Sequence, residues 1–343
     1  MEMWKYSLAA LGAIFCACER VEIPINGWGE PASPNDSKAV VALSADATLG
    51  SLAVWIASGI DTVYVSSAGN GVMAECRADL SRIFVAGNIA TGASARPDTL
   101  TANLANMTDG RISCSATFDK LLGHGLNEFP LSLPRDICKI SLEKVENRIS
   151  EGAYSGKTVT VEKVFIINGV GRFQVFCMNG EEPRRWWFAP SGFAPDAGWE
   201  AGAAKASPEI TAEGTGYMNP PGISKASPGK SIGWGLAETI DIELYTGPND
   251  VSEDAWGGSG EDMGSGQWTP RKTRLVLQCL IDGHRCYYPL TIDNLKANHH
   301  YIVRKMVLTR FGTEYPDQPY DFTEAGASIV LADWNGVPVS EII

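Results

Sequence analysis

The sequence predicts an all-β protein, with two β-sandwich domains in tandem and long Gly/Pro-rich loops. Three observations predict it. Short runs rich in Val, Ile, Thr and aromatics recur along the chain, among them AVVALSA, SLAVWIA, DTVYVSS, KTVTVEKVFII and TRLVLQCLI. Gly, Pro, Asn and Asp separate these runs, which is the pattern of sandwiches and barrels. Helical periodicity is scarce: only ADLSRIF and PDTLTANLANM read as short helices in connections. The 343 residues, 44% hydrophobic and 20% charged, suffice for two folded domains. A net charge of -12 at pH 7 gives an acidic surface that repels phosphate backbones, so no nucleic-acid partner is expected.

The chain opens on an apolar run, Leu8 to Phe15, within LAALGAIFCACER. Its length suits the core of a signal peptide and falls short of the roughly 20 residues of a membrane span. The alternative is a buried first strand or helix, but polar, proline-rich sequence follows at once (ERVEIPINGWGEPASPND). Phe15-Cys16-Ala17-Cys18 resembles a lipobox: Ala17 is the small residue before the cysteine, while Phe15 stands where leucine is usual. Residues 1–18 therefore read as a lipoprotein signal with the lipid on Cys18. Such a chain is anchored to a membrane and does not span it.

Residues 19–155 read as the N-terminal sandwich. Its first strand lies within Val21–Ile25 or, alternatively, Ala39–Ser44. SEGAYSGK, at 150–157, separates two strand runs and sets the boundary at about 155, so that 156–343 form the C-terminal sandwich. Residues 179–235 and 246–268, full of Gly, Pro and Trp or of Gly and acids, read as long loops on the scaffold.

Six cysteines follow the signal: Cys76, Cys114, Cys138, Cys177, Cys279 and Cys286. None forms a CxxC pair, so no zinc site is expected. Most read as small buried residues. In LQCLIDGHRCYYPL, Asp282-Gly283 is a two-residue hairpin signal. Counting outward pairs Ile281 with His284, Leu280 with Arg285, and Cys279 with Cys286. In an oxidising compartment Cys279 and Cys286 form a candidate disulfide.

No catalytic constellation emerges, and HExxH is missing from the sequence. The glycine pairs at 69–71 and 214–216 read as turns. His299 and His300 sit just before a strand, His124 in a loop, His284 beside the hairpin turn. Asp250, Glu253, Asp254, Glu261 and Asp262 do not match an EF-hand and read as a solvated cluster. Trp186, Trp187 and Phe188 suit either a sugar or a domain junction, and the junction is preferred. No catalytic residue, metal or cofactor is expected. The chain reads as an interaction or structural protein, not an enzyme.

The final third narrows the class. Tyr287-Tyr288-Pro289 precedes a strand lead-in with Asn298 and Tyr301, then a loop with Gly312, Pro316 and Pro319, then a last strand with Trp334. This order resembles the fimbrillins, the type V pilin subunits of Bacteroidales. SRIFVAGN, FPLSLPRDICKISLEKVEN with Arg135, and KTVTVEKVFIINGVG resemble earlier strands of the same family. The resemblance runs from about residue 48 to the end.

The resemblance implies two sandwiches of transthyretin-like, Greek-key type and a lipoprotein at the outer membrane and on surface fimbriae. It implies partners of three kinds: other pilin subunits in a head-to-tail polymer, the outer membrane through the lipid, and host or bacterial surface receptors. In the family, cleavage after an arginine releases the first strand, and the C-terminal strand of the next subunit takes its place. The donor candidate here is the tail 335–343, NGVPVSEII, with Val337, Val339 and Ile343 on one face and Ile342 on the other. This chain departs from the family at the cleavage site. Between Arg20 and Arg77 it has no arginine, and Lys38 is the only basic residue of the linker, so the candidate processing positions are Lys38 and Arg20. Stalk and anchor subunits both remain open. A surface lipoprotein that binds glycans through Trp186, Trp187, Trp199, Trp256 and Trp268 is the alternative.

Overall fold

Strand after strand follows the apolar runs, with short turns between them. The structure, a computed structural model, describes residues 38–45, 49–91, 96–108, 110–177, 185–187, 194–195, 224–226, 229–252, 267–268, 271–316, 318–322, 328–333 and 338–339. The N-terminal half holds β1 (Lys38–Ala45), β2 (Leu52–Ser58), β3 (Asp61–Ser67), β4 (Gly71–Arg77), β5 (Leu80–Gly87), β6 (Thr101–Asn103), β7 (Cys114–Leu121), β8 (Gly125–Leu131) and β9 (Cys138–Asn147). Next come β10 (Val159–Ile167), β11 (Val170–Gln174), β12 (Arg185–Trp187), β13 (Ala194–Pro195), β14 (Lys225–Ala226), β15 (Lys230–Ile232), β16 (Ala237–Thr246) and β17 (Gln267–Trp268). The last are β18 (Thr273–Ile281), β19 (His284–Ile292), β20 (His299–Leu308), β21 (Ser328–Asp333) and β22 (Pro338–Val339).

These strands build an all-β tandem of sandwiches. In the first, the sheet β4-β1-β8 faces the sheet β3-β2-β5-β7. Ala39, Val41, Leu43, Leu52, Val54, Ile56, Ile83 and Val85 fill the space between them. In the second, β15-β10-β18-β19 faces the six-stranded β14-β16-β9-β20-β21-β22 across the larger core, which includes Val161, Ile166, Leu277, Ile140, Leu244 and Val303. β6, β11 and β12 form a small sheet, in which β6 pairs with β11.

β2 shows why some runs are apolar without alternation. Leu52, Val54 and Ile56 point into the first core, while Ala53 and Trp55 join the larger one. Trp55 meets Phe176 edge-on at 6.2 Å between ring centroids. A strand buried on both faces has no polar side to show.

The short helices expected at ADLSRIF and PDTLTANLANM are not α-helices. Leu80–Gly87 is β5, paired with β2 and β7 along its length. Its apolar residues serve two buried faces, which mimics a helical stripe. Pro97–Thr99 and Leu104–Asn106 are single 3₁₀ turns on either side of β6. The Asp282-Gly283 turn has both residues at positive φ (51° and 82°), the geometry of a tight hairpin. The β18–β19 register is the one counted from the sequence, Ile281↔His284 through Cys279↔Cys286.

Candidate functional site

The region of interest begins at Lys38. β1 is the middle strand of its sheet, antiparallel to β4 from Lys38↔Arg77 to Ser44↔Gly71. It is parallel to β8 from Ala39↔Gly125 to Ala45↔Leu131. Its inward residues Ala39, Val41, Leu43 and Ala45 are buried. Taking such a strand out would leave unpaired N–H and C=O groups on β4 and β8 above an apolar floor. Lys38 itself is exposed, 3.6 Å from Glu75. From Ala39 to Cys76 the sequence holds neither Lys nor Arg. Cleavage after a basic residue therefore cannot separate β1 from β2.

At the other end of the chain, β22 closes the six-stranded sheet. Val339 lies opposite Leu331 and Pro338 opposite Ala332. The remaining tail residues named from the sequence, Val337, Ile342 and Ile343, lie outside the described residues, as do Cys18, Arg20 and Trp334. Trp186 and Trp187 are on β12, bonded to β11, and Trp268 is on β17. Trp199 and Trp256 lie outside the described residues.

Cys279 and Cys286 face each other on β18 and β19, both buried and both free thiols. Burial pushes the Cys286 thiol up to about 11 and raises the Cys279 thiol well above its usual value. Asp250 pairs with Arg185, while Glu253, Asp254, Glu261 and Asp262 lie outside the described residues. Among the described residues, no group of three or more His, Cys, Asp or Glu side chains stands close enough to hold a metal.

His284, His299 and His300 make structural contacts. His300 Nε2 sits 2.9 Å from Ser141 Oγ across β20 and β9. Burial and the nearby Lys139 charge bring its pKa down to about 4, against the pull of Glu243. His299 Nδ1 lies 2.7 Å from the Ala297 carbonyl, and His284 packs edge-on against Tyr154. A cleft of about 360 Å³ between the sandwiches is lined by Ser115, Arg135, Asp136, Phe173, Arg185 and Asn298. There the Ser115 hydroxyl donates to Asp136 Oδ1 at 2.5 Å, and burial pushes the Asp136 carboxyl up to about 7.

No family model matches the chain, and no curated protein matches it. Its fold does match solved structures. A fimbrilin from Porphyromonas gingivalis, 13% identical, superposes with a TM-score of 0.54 over 90% of this chain and 98% of its own. A candidate cell adhesion protein from Parabacteroides distasonis, 16% identical, gives 0.53 over 87% of this chain and 100% of its own. Another from Bacteroides eggerthii, 13% identical, gives 0.53 over 87% and 96%. The chain has the fimbrilin fold.

Within the fimbrilin fold, the motif residues of the final third have definite structural tasks. Asn298 adopts positive φ (61°) and ties the start of β20 to the segment before β9. Its N–H donates to the Ile137 carbonyl at 3.0 Å, and its Oδ1 accepts from the Arg135 N–H at 3.1 Å. The Tyr301 hydroxyl accepts from the Lys296 N–H and donates to the Asn294 carbonyl, each at 2.8 Å. The Tyr288 hydroxyl donates to the Arg310 carbonyl at 2.9 Å. At Gly312 the chain passes so close to β19 that a Cβ would fall 2.4 Å from the Tyr287 carbonyl oxygen. That approach lets Thr313 and Tyr287 exchange two backbone hydrogen bonds, at 2.8 and 2.9 Å.

Sequence reasoning missed a set of exposed apolar residues: Ile60, Leu80, Leu121, Leu126, Trp234 and Leu236. In sequence each resembles a core residue beside a turn.

Proposed function

We propose that this chain is a structural subunit of a cell-surface fimbria, exported as a lipoprotein with its lipid on Cys18. The tail 335–343 would join it to a neighbouring subunit by strand addition. The observation that carries this reading is the fold match to a fimbrilin over 90% of this chain and 98% of that one. In this reading the two sandwiches meet at residues 133–136 and not near 155, because β9 bonds on both sides to strands of the second sandwich, β16 and β20.

β1 stays with the body in this account. Cleavage near Lys38 would free residues 1–37, the segment holding Val21–Ile25, and would make a polymerising subunit. A chain left uncut, or cut only at Arg20, keeps that segment. Uncut, it also keeps its lipid and so suits an anchor at the outer membrane. Its partners are other fimbrial subunits, the outer membrane through the lipid, and surface receptors.

The test is the N-terminal mass of the chain in sheared filaments and in the outer-membrane fraction. A start near Lys38 in filaments, or a lipidated Cys18 in membranes that hold filament bases, is expected. A chain that still begins at Met1 and is found in neither fraction would overturn the reading.

A further inference from the structure

Seven large apolar side chains stand out from the described surface, and six of them gather at two places. The first is the end of the first sandwich. The β2–β3 turn puts Ile60 there, 98% exposed. Ser58 pairs with Ser81, which brings Leu80 (61% exposed) alongside, and Leu80 pairs with Leu121 (68%). Leu126 (59%) lies opposite Val40, near the point where the chain enters β1 at Lys38. The second place is the β15–β16 turn, which holds Trp234 (53%) and Leu236 (58%).

The register sets these places at opposite ends. β7 starts at the junction of the sandwiches, where Cys114 bridges Arg135, and runs to Leu121. β9 leaves the same junction, from a segment antiparallel to the start of β7, and runs to Asn147. At that far end Asn147 pins the second patch. Its carbonyl accepts from the Gly235 N–H at 2.8 Å, and its N–H donates to the Leu236 carbonyl at 3.0 Å. Its side chain donates to the Ile232 and Lys157 carbonyls at 3.0 and 2.8 Å. The turn therefore presents Trp234 from a fixed base.

Apolar side chains held out in water by ordered turns mark interaction surfaces, and Trp is enriched at interface centres. Two such patches at opposite ends of one chain suit a head-to-tail contact, in which different surfaces meet and the array need not close. The direction of the tail agrees. β22 is antiparallel to β21, β21 to β20, and β20 parallel to β9, so β22 runs toward the Trp234 end.

We propose that Trp234 and Leu236 of one copy dock on Ile60, Leu80, Leu121 and Leu126 of a second copy of this chain. The contact adds to the strand exchange and fixes the angle between successive subunits. It rests on the subunit reading above and specifies which surfaces meet. A membrane surface would account for the Leu121 end alone and leaves Trp234 unexplained.

The test is a cysteine pair, Leu121→Cys with Trp234→Cys, in the full chain on its own cell surface under mild oxidation. A ladder of disulfide-linked multimers that neither single variant forms is expected. The same double variant lacking 335–343 separates the two ideas. Loss of the ladder with the tail supports both. A ladder that survives supports the docking and removes the tail from assembly. Filaments that need the tail while the double variant never links overturn the docking and leave the subunit reading standing. Insertion of the Leu121 end into lipid would overturn it too, read as bromolipid quenching of a fluorophore on Leu121→Cys without any ladder.

Discussion

Cys279 stands directly opposite Cys286 across the β18–β19 hairpin, and both thiols lie in the larger core. Burial raises both thiol pKa values, which suppresses the reactive thiolate. Alkylation of the native, reduced protein should therefore label the exposed Cys177 and spare this pair, and unfolding should expose both to the reagent. Peptide mapping reads the result. The bridge expected from the hairpin register is checked on the exported protein, whose mass would be lower by two hydrogens. Rapid native labelling of Cys279 would contradict the packing.

Asp136 and His300 give stability opposite slopes with pH. The Asp136 carboxyl is raised to about 7 by burial, against the hydrogen bonds of Ser115 and Ser113. From about pH 4 to about pH 7 the folded state holds the proton that the unfolded chain has lost, so this group costs stability as pH rises. Asp136→Asn should raise stability at pH 8 by on the order of 2 kcal/mol and flatten that slope. Chemical denaturation at several pH values checks it. A variant less stable than wild type at every pH would show that the hydrogen bonds of Ser115 and Ser113 outweigh the cost of burying the charge.

His300 is held down to about 4. Between about pH 4 and pH 6.5 the unfolded chain binds the proton and the folded chain does not, so stability rises with pH across that window and is complete above it. An NMR titration should find the His300 ring neutral at pH 5.5. A His300 ring that titrates near pH 6.5 would mean that Ser141 and Lys139 do not enclose it.

Gly312→Ala tests the close passage over β19. The added methyl would meet the Tyr287 backbone, which has no room to retreat inside a paired strand. We expect a loss on the order of 3 kcal/mol in unfolding free energy. A loss below about 1 kcal/mol would mean that the segment after β20 shifts freely.

Asn298→Ala removes both a residue suited to positive φ and the acceptor for the Arg135 N–H. The expected cost is about 2 kcal/mol, with Asn298→Gly recovering the conformational part but not the hydrogen bond. Equal losses in both variants would place the whole effect on the Arg135 contact.

Strands that are buried on both faces, or that form the centre of a sheet, were legible in the sequence. β2, β10, β18 and β20 announced themselves through continuous or alternating Val, Ile and Leu. β4 (GVMAECR) and β8 (GLNEFPL) did not, because they are edge strands whose outward residues face water and whose sequences carry Gly, Glu, Asn and Pro. The hairpin register at Asp282-Gly283 could be counted because the turn fixes it. The patch at Leu80, Leu121 and Leu126 could not, because it exists only once remote strands are paired. The role of Gly312 was hidden for the same reason: its neighbour in space, Tyr287, is far away in sequence.

The claim that the tail joins subunits is tested most directly by deleting residues 335–343 and measuring the size of the chain in native surface extracts. The account predicts that wild type elutes in large assemblies and the truncated chain as a folded monomer, smaller than the 36.8 kDa of the full chain. Truncated chain eluting in the same assemblies as wild type would contradict it.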